Sequence, residues 1–295
     1  MEERILTEVL EQISKLNLEV RLKENLAKHT VYGTGGNCLA MIYPSCENTF
    51  KECLKILKEQ NVFILGNGTN LLVSDKGYNG YVINTEKLNK IEIRGDLIIA
   101  EAGADLMQVV KVSTDNCLSG LEFAVGIPAS VGGAVCMNSG CFGKSVGEYV
   151  VYVKAENGVY NNKDCNFDYR TSRFNEESIF QVCFKLKPWD NETIESKLEH
   201  YKKIRSSKAP KGKSCGSVFK NEEYFAGKLI DDAGLKGFTI GGAKVSEKHA
   251  NYIINFNNAK SQDIYSIIKH VKKRVYSLFE IDLKEELKYL GEFND

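Results

Sequence analysis

The sequence predicts an α+β protein in which pairs of strands are interspersed with separate helices. Between residues 80 and 103, the short apolar runs GYVIN, KIEI and LIIAEAG follow one another without a helical pattern between them. Amphipathic helical patterns stand near both ends of the chain instead. A regular alternation of strand and helix, which would predict a parallel α/β sheet, is not the pattern seen.

Composition and charge place the chain among globular proteins with sizeable cores. It has 295 residues, of which 43% are hydrophobic and 26% charged, and its formal net charge is zero. Broad nucleic-acid or membrane-surface binding would need a clustered cationic excess. No apolar run approaches the roughly 18 residues of a membrane span. We therefore expect a cytoplasmic protein with no nucleic-acid, membrane or obligate protein partner.

The nine cysteines predict reduced, mostly structural thiols. They are scattered from Cys38 to Cys215 without a C-x-x-C pair. This spacing suggests neither a disulfide framework nor a metal site.

The first part of the chain predicts two helices around a short strand. Residues 2 to 16 form the first, amphipathic helix, since apolar residues recur at helical spacing. The run HTVYGTGGNCLAMIYP then leads through a strand to Pro44, and Ser45 can cap the next helix. Further along, Asp105 is expected to cap a helix that runs to about Cys117.

A glycine loop follows the predicted strand NVFIL and reads Gly66-Asn67-Gly68-Thr69-Asn70. It lacks the third glycine and the following helix of a dinucleotide fingerprint, and it lacks the lysine of a P-loop. Its backbone amides form a nest that suits a diphosphate. A plain hairpin turn is the alternative.

The stretch from Leu121 to Cys141, LEFAVGIPASVGGAVCMNSGC, is built for close backbone approach. Residues 129 to 137 predict a short helix after Pro128. The amides of Ala129 to Val131 would then be unpaired and suit an anion, above all a phosphate. The alternative is a tight loop and a small-residue helix packed against a sheet.

The next segment predicts a hairpin and then a domain boundary. EYVVYVKAENGVYNN is the hairpin, with Asn157-Gly158 as its turn. Arg170, in NFDYRTSRF, is either a solvent-facing ion pair or a fixed cation in a ligand cleft. The boundary lies at 188–190, where Pro-Trp-Asp opens a helix from about Asn191 to Ser207.

The C-terminal part offers several candidate reactive groups. GKSCGSVFKN is predicted to lead into a strand, and either Cys215 or Ser217 can be its reactive residue. A last amphipathic helix precedes IDLKEELKYLG, which predicts a terminal strand with Glu285 and Glu286 on opposite faces.

Seven of these motifs together resemble the UDP-N-acetylenolpyruvylglucosamine reductase family, in the shorter type without a long substrate-covering loop. They occur in family order over residues 30 to 255: TVYGTGG, LGNGTNLLVSD, GLEFAVGIPASVGGAVCMNSG, FDYRTSRF, GSVFKN, AGKLIDDAGLKG and GGAKVSEKHANYIIN. The combination is far more specific than any single motif.

The resemblance implies a two-subdomain FAD-binding fold of the vanillyl-alcohol-oxidase type, followed by a separate α+β substrate-binding domain. The subdomains would be residues 1–92 and 93–187, and residues 188–295 would bind the UDP-sugar. FAD would be bound non-covalently, without a metal, and NADPH would be the electron donor. The implied cofactor-binding residues are Gly66, Asn67, Gly68, Thr69, Asn70, Gly126, Ile127, Pro128, Ser130, Gly132 and Gly133.

The implied reaction is the NADPH-dependent reduction of UDP-N-acetylglucosamine enolpyruvate to UDP-N-acetylmuramate, a step of peptidoglycan precursor synthesis. The family's catalytic arginine, serine and glutamate fall on Arg170, Ser217 and Glu286. In the family mechanism a hydride reaches C3 of the enolpyruvyl group and the serine protonates C2. The implied substrate-binding residues are Tyr169, Lys220, Asn221, Lys248 and His249.

Three departures from the family pattern, at Gly33, Ala209 and Glu222, leave the catalytic positions intact. Two other functions stay open at this point. Another FAD oxidase of the same fold would explain the first two thirds of the chain, and a non-catalytic nucleotide-sugar binding protein would explain the glycine loops.

Overall fold

The computed structural model describes residues 2–294, and the chain forms two compact units. The first unit contains the chain up to Leu22, Ala40–Asn67 and Gly80–Ile204. The second contains Lys23–Leu39, Gly68–Asn79 and the chain from Arg205 onward. Two N-terminal segments therefore belong to the same unit as the C-terminal part. The functional division into 1–92, 93–187 and 188–295 stays a prediction.

Helices and strands both contribute, as an α+β fold requires. The helices are α1 (Glu2–Ser14), α2 (Glu47–Ile56), α3 (Leu106–Asp115), α4 (Val131–Cys136), α5 (Asn191–Lys208), α6 (Ala226–Asp232) and α7 (Ser261–Phe279). The strands of the first half are β1 (Glu19–Leu22), β2 (Cys38–Tyr43), β3 (Val62–Leu65), β4 (Leu71–Val73), β5 (Tyr78–Asn84), β6 (Ile91–Arg94), β7 (Leu97–Glu101), β8 (Leu118–Ser119), β9 (Gly140–Cys141) and β10 (Lys144–Ser145). Those of the second half are β11 (Val150–Ala155), β12 (Gly158–Asn161), β13 (Ile179–Lys185), β14 (Lys187–Pro188), β15 (Thr239–Ile240), β16 (Ala243–Val245), β17 (Ile253–Asn255) and β18 (Lys288–Leu290).

Two sheets build the first unit. The four-stranded sheet has the order β1-β2-β5-β3, with β1 antiparallel to β2 and β3 parallel to β5. The five-stranded sheet has the order β12-β11-β13-β7-β6 and is antiparallel throughout. Its hairpin turn is Glu156-Asn157, because Ala155 pairs with Gly158. The predicted hairpin is thus confirmed with its turn displaced by one residue.

The core of the first unit lies under the five-stranded sheet and α3. Val109 of α3, Val153 of β11 and Phe184 of β13 are fully buried there. Asp105 caps α3, since its Oδ1 accepts from the amides of Met107 and Gln108 at 2.7 and 3.3 Å. The sequence predicted this cap and the helix after it, and both are confirmed.

In the second unit, α7 packs against a small antiparallel sheet of order β15-β16-β17. The sequence predicted an apolar face of six residues for α7. Five of them are buried, namely Ile264, Ile267, Ile268, Val271 and Val275, whereas the sixth, Leu278, is exposed near the end of the helix. The terminal strand β18 pairs in parallel with β4. Within residues 2–294, no helix combines the length and apolarity that crossing a bilayer requires.

Candidate active site

The loop Gly66–Asn70 presents unused backbone donors. None of its five amides donates a hydrogen bond to another residue in the described part of the chain. Gly68 has a φ of +59°, and a Cβ at this position would collide with the carbonyl of His29. Donors that converge in a tight, partly left-handed turn form an anion-binding concavity. The residues present therefore fit the diphosphate of FAD.

Side-chain hydrogen bonds hold the loop on both sides of the unit boundary, which lies between Asn67 and Gly68. In the first unit, the amide group of Asn67 donates to Asp105 Oδ2 at 3.3 Å and to the carbonyl of Pro128 at 3.2 Å. In the second, the side chain of Asn70 donates to the carbonyl of Glu286 at 3.0 Å. The free backbone donors are therefore held in place by the loop's own side chains.

The start of α4 is less available to an anion than predicted. The helix begins at Val131, whose amide donates to the carbonyl of Ala104 at 2.8 Å. The amide of Gly132 donates to the carbonyl of Ala102 at 2.7 Å, and that of Gly133 to Ser130 Oγ at 3.2 Å. The expectation of an unpaired Val131 amide was therefore wrong, because this helix start pairs with the segment before α3. The amides of Ala129 and Ser130, just before the helix, have no acceptor among residues 2–294.

Arg170 sits in a turn that holds it in an unusual backbone conformation. Asp168 and Thr171 exchange main-chain hydrogen bonds of 3.1 and 3.3 Å, and Arg170 between them has a φ of +55°. A left-handed conformation costs a non-glycine residue roughly 1–2 kcal/mol. The turn is anchored by the buried Asn138, whose side chain donates to the carbonyl of Asp168 at 3.0 Å. Such strain is typical of functional positions.

Tyr169 precedes Arg170 and is exposed, with the Arg170 guanidinium 5.3 Å from its ring centroid. The two residues form one surface feature of the first unit.

Ser217 lies in an irregular segment, which corrects the predicted strand that was to end at Lys220. Val218 and Lys220 bond to the segment at 284–286, but the pairing is a single bridge between Phe219 and Glu285. Before Ser217, Gly216 has a φ of +82° with open space around its Cβ position. The half-buried Ser217 hydroxyl makes no hydrogen bond to any residue that the structure describes. It is thus available to a ligand.

Cys215, the alternative reactive residue, is unsuited to act as a nucleophile at neutral pH. Burial raises the pKa of its thiol to about 12. The thiol lies beside the buried Tyr32 hydroxyl and 3.7 Å from the carbonyl oxygen of Leu71. A thiol kept protonated in this way is inert as a nucleophile.

The two adjacent glutamates have different surroundings. Glu285 forms an ion pair with Lys272 of α7, in which both carboxylate oxygens are 3.1 Å from Nζ. It lines a groove of about 570 Å³ that does not include Glu286 or Ser217. The amide of Glu286 donates to the carbonyl of Val218 at 2.8 Å. The structure thus brings Glu286, Asn70 and the segment of Ser217 together within the second unit, while Arg170 belongs to the first.

Four other predicted substrate-binding residues lie in the second unit. Lys220 is 3.6 Å from Glu222, and Asn221 Oδ1 accepts from the amide of Ala226 before α6. Lys248 Nζ donates to the carbonyls of Ser206 and Ala209 at 3.1 and 2.8 Å. Burial lowers the pKa of His249, whose Nδ1 accepts from the amide of Asn251 at 3.3 Å. Polar atoms of Asn221, Lys248 and His249 are thus already engaged in hydrogen bonds within the second unit.

Two buried asparagines, Asn138 and Asn251, hold the candidate catalytic segments and were not predicted as site residues from the sequence. Each bonds through its side chain to main-chain groups far away in sequence. Asn138 lies in the motif GLEFAVGIPASVGGAVCMNSG and Asn251 in KHANYIIN. Membership of these motifs was the only sequence signal for their role.

Comparison with known proteins covers almost the whole chain. Residues 38–157 match the family model of an FAD binding domain, and residues 207–290 match the C-terminal domain of UDP-N-acetylenolpyruvoylglucosamine reductase. The reductase of Caldicellulosiruptor bescii is 42% identical over 283 residues, which cover 91% of this chain and 90% of that protein. The reductase of Clostridium kluyveri is 39% identical over 285 residues, with 93% and 94% covered.

A solved structure shows the same relationship. The crystal structure of the reductase from Thermus caldophilus aligns with a TM-score of 0.81 and 31% identity, covering 93% of this chain and 99% of that one. The fold therefore includes the FAD-binding fold of the vanillyl-alcohol-oxidase type.

The similarity extends through the C-terminal domain, residues 207–290. Another oxidase on the same flavin fold would not require this domain, so the alternative function of such an oxidase is not supported. FAD is bound non-covalently and NADPH is the reductant. The chain therefore belongs to the UDP-N-acetylenolpyruvoylglucosamine reductase family and is an FAD-containing oxidoreductase that reduces UDP-N-acetylglucosamine enolpyruvate to UDP-N-acetylmuramate.

Proposed function

We propose that Arg170, Ser217 and Glu286 carry this reduction, with Ser217 as the proton donor. The observation that carries the proposal is the Ser217 hydroxyl, which has no hydrogen-bond partner among the described residues and follows an open glycine. Its neighbour Cys215 has its thiol 3.7 Å from the carbonyl oxygen of Leu71. Of the two candidates in this segment, Ser217 is the one whose side chain makes no hydrogen bond to the described residues.

We assign the diphosphate of FAD to the amides of Gly66–Asn70, and the segment Gly126–Gly133 to the face of the flavin. When bound there, FAD would supply the hydride for C3 of the enolpyruvyl group. Gly126, Pro128 and Gly133 are exposed, whereas Ala129 and Ser130 are buried. Exposed glycine and proline backbone lets a flat ring approach closely.

Arg170 stabilises the charge that develops when the hydride is added. That addition places negative charge on the substrate carboxylate as an enolate. A fixed guanidinium aimed at the carboxylate therefore stabilises the transition state more than the ground state. The anchored turn at 168–171 supports this role, because it holds Arg170 at a cost in backbone strain.

Glu286 is proposed to share a proton with the enolate, which requires burial to keep its carboxyl protonated. Its main chain bonds both Val218 and Asn70, so its position is tied to the Ser217 segment and to the FAD loop. Tyr169, Lys220, Asn221, Lys248 and His249 are proposed to bind substrate. Lys220 has the most suitable surroundings, because its one ion pair, to Glu222, is long.

At the level of the cell, we propose that the enzyme works in the cytoplasm on peptidoglycan precursors. Its proposed partners are the UDP-sugar and NADPH alone. A net charge of zero supports the expectation that it binds neither nucleic acid nor membrane surfaces.

The proposal is tested with Ser217→Ala in the two half-reactions, each followed anaerobically by stopped-flow flavin absorbance. Reduction by NADPH needs no proton from Ser217 and should stay close to normal. Reoxidation by the enolpyruvyl substrate should slow by about 10²- to 10⁴-fold, the usual contribution of a positioned general acid. At about 1.36 kcal/mol per tenfold, this corresponds to roughly 2.7–5.4 kcal/mol of barrier.

Ser214→Ala is the matched control, since Ser214 is also half-buried and only three positions away. It should leave both half-reactions within about twofold of the parent. Equal slowing of both half-reactions in Ser217→Ala would point to a distorted site. A slow Cys215→Ala beside a normal Ser217→Ala would show that the thiol is the donor.

A further inference from the structure

Asn251 forms hydrogen bonds with the main chain of the Ser217 segment, residues 217–220, as a neighbouring strand does in a sheet. Its carbonyl oxygen accepts from the amide of Val218 at 2.9 Å. Its side-chain Oδ1 accepts from the amide of Phe219 at 2.9 Å, and its Nδ2 donates to the carbonyl of Phe219 at 2.8 Å. One residue, 32 positions away, therefore satisfies three main-chain groups of two successive residues.

These bonds are closed to water. Asn251 is 1% exposed, and Val218 and Phe219 are buried as completely. A buried main-chain group that loses its hydrogen-bond partner cannot bond to water instead. The full desolvation cost of that group then destabilises the segment. The side-chain amide also offers an acceptor and a donor side by side, as a peptide does.

The opposite side of the segment is held by residues 284–286. Lys220 donates to the carbonyl of Lys284 at 2.9 Å, and Glu286 donates to the carbonyl of Val218 at 2.8 Å. Val218 is thus bonded to Asn251 on one side and to Glu286 on the other. Ser217 directly precedes it and has no hydrogen bond of its own to the described residues. The placement of Ser217 relative to Glu286 depends on this clamped peptide.

We propose that Asn251 is the positioning residue of the Ser217–Glu286 pair, through the two hydrogen bonds of its buried side chain to the main chain of Phe219. It touches neither substrate nor cofactor in this role, because both polar side-chain atoms are used by Phe219. The inference rests on the proposed function, in which Ser217 donates the proton.

In the variant Asn251→Asp, the positioning of Ser217 should become dependent on pH. A neutral carboxyl group offers an acceptor and a donor, like the amide it replaces, whereas a carboxylate offers acceptors only. Burial raises the pKa of a carboxyl group. Below that raised pKa, both hydrogen bonds between the side chain of residue 251 and the main chain of Phe219 can form. As pH rises through the pKa, a carboxylate faces the Phe219 carbonyl and the bond to that carbonyl is lost.

We therefore expect flavin reoxidation by the enolpyruvyl substrate to be close to parental at low pH in Asn251→Asp. It should fall at least tenfold as pH rises, at pH values where the parent rate does not change. Reduction by NADPH should stay within twofold throughout. Amide exchange at 218–220 in the FAD-free protein should rise over the same pH range, while that at 253–255 should not.

Asn84→Asp is the control for the general effect of placing a carboxyl group in the protein interior. Asn84 is 2% exposed and its Oδ1 also accepts a main-chain amide, that of Glu86 at 2.9 Å. It belongs to β5 and has no hydrogen bond to the Ser217 segment. It should add no pH-dependent step to reoxidation.

The inference is overturned if Asn251→Asp follows the parent pH profile, or if both half-reactions slow together. Ser217→Ala, measured alongside, separates the two ideas. Normal reoxidation in Ser217→Ala refutes the proposed function, whereas slow Ser217→Ala with normal Asn251→Asp refutes the positioning role alone. Should Asn251→Asp fail to retain FAD, Asn251→Ser repeats the comparison without added charge. At least tenfold slower reoxidation with normal reduction then supports the role, and equal slowing overturns it.

Discussion

Arg170 has an unusual backbone conformation in a turn that the buried Asn138 anchors. Its left-handed backbone is one that glycine or asparagine adopts with far less strain. The backbone strain agrees with the proposed role of Arg170 as a fixed cation.

We predict that Arg170→Lys folds and binds FAD but loses turnover by about 10- to 100-fold. Lysine keeps the charge and loses the planar fork that binds a carboxylate through two parallel hydrogen bonds. Steady-state turnover per bound FAD measures the effect. Arg173→Lys is the control, because Arg173 packs over Tyr160 at 3.7 Å and bonds the carbonyl of Asp164. Near-normal turnover in Arg170→Lys would mean that Arg170 is a surface cation after all.

Among the elements, the loop Gly66–Asn70 combines a packing requirement with a binding one. Gly68 is buried against the carbonyl of His29, yet neither its amide nor its neighbours' amides donate a hydrogen bond to any residue from 2 to 294. The packing fixes the turn, and the turn aims the donors. Loss of the glycine should therefore affect stability and FAD binding together.

We predict that Gly68→Ala loses several kcal/mol of unfolding free energy and most of its FAD affinity. Both a backbone collision and left-handed strain act there. Gly143→Ala separates the two effects, since Gly143 has a φ of +76° and nothing within 4 Å of its Cβ position. It should lose only about 1–2 kcal/mol, the strain alone. Denaturant unfolding of the FAD-free proteins and FAD titration provide the measurements. Equal losses in the two variants would show that the collision has no effect.

At the scale of the whole molecule, the cofactor should contribute to stability by mass action. FAD binds the folded chain, so free FAD at about 100 times Kd should add roughly 2.7 kcal/mol. We predict a Tm that rises by several degrees with FAD concentration in thermal scans.

Acid precipitation of the same samples should release all the yellow colour into the supernatant. His29, which precedes the glycine-rich run of TVYGTGG, is the histidine to which a flavin could be linked covalently. Its Nε2 is, however, already 3.0 Å from Glu24 Oε1. Colour that stays in the pellet would contradict non-covalent binding, and a Tm independent of FAD would contradict the linkage.

The sequence by itself determined the fold class, the long helices and the family. Periodicity identified the buried face of α7, because burial of one helix face imposes a repeat that is readable locally. Asp105 was recognisable as a cap for the same reason, since a cap bonds amides two and three residues away. The catalytic candidates came from motifs whose order is a property of the chain.

Only the tertiary structure decided which polar groups are already used. The amides of Val131 and Gly132 bond a segment near Ala102, so the predicted free helix start is partly occupied. Val218 and Phe219 bond Asn251, so a predicted strand became a clamped, irregular segment. The reason is that each amide donates once, and its acceptor can lie anywhere in the sequence. Local pattern shows which groups need partners, whereas distant chain segments decide which groups remain for a ligand.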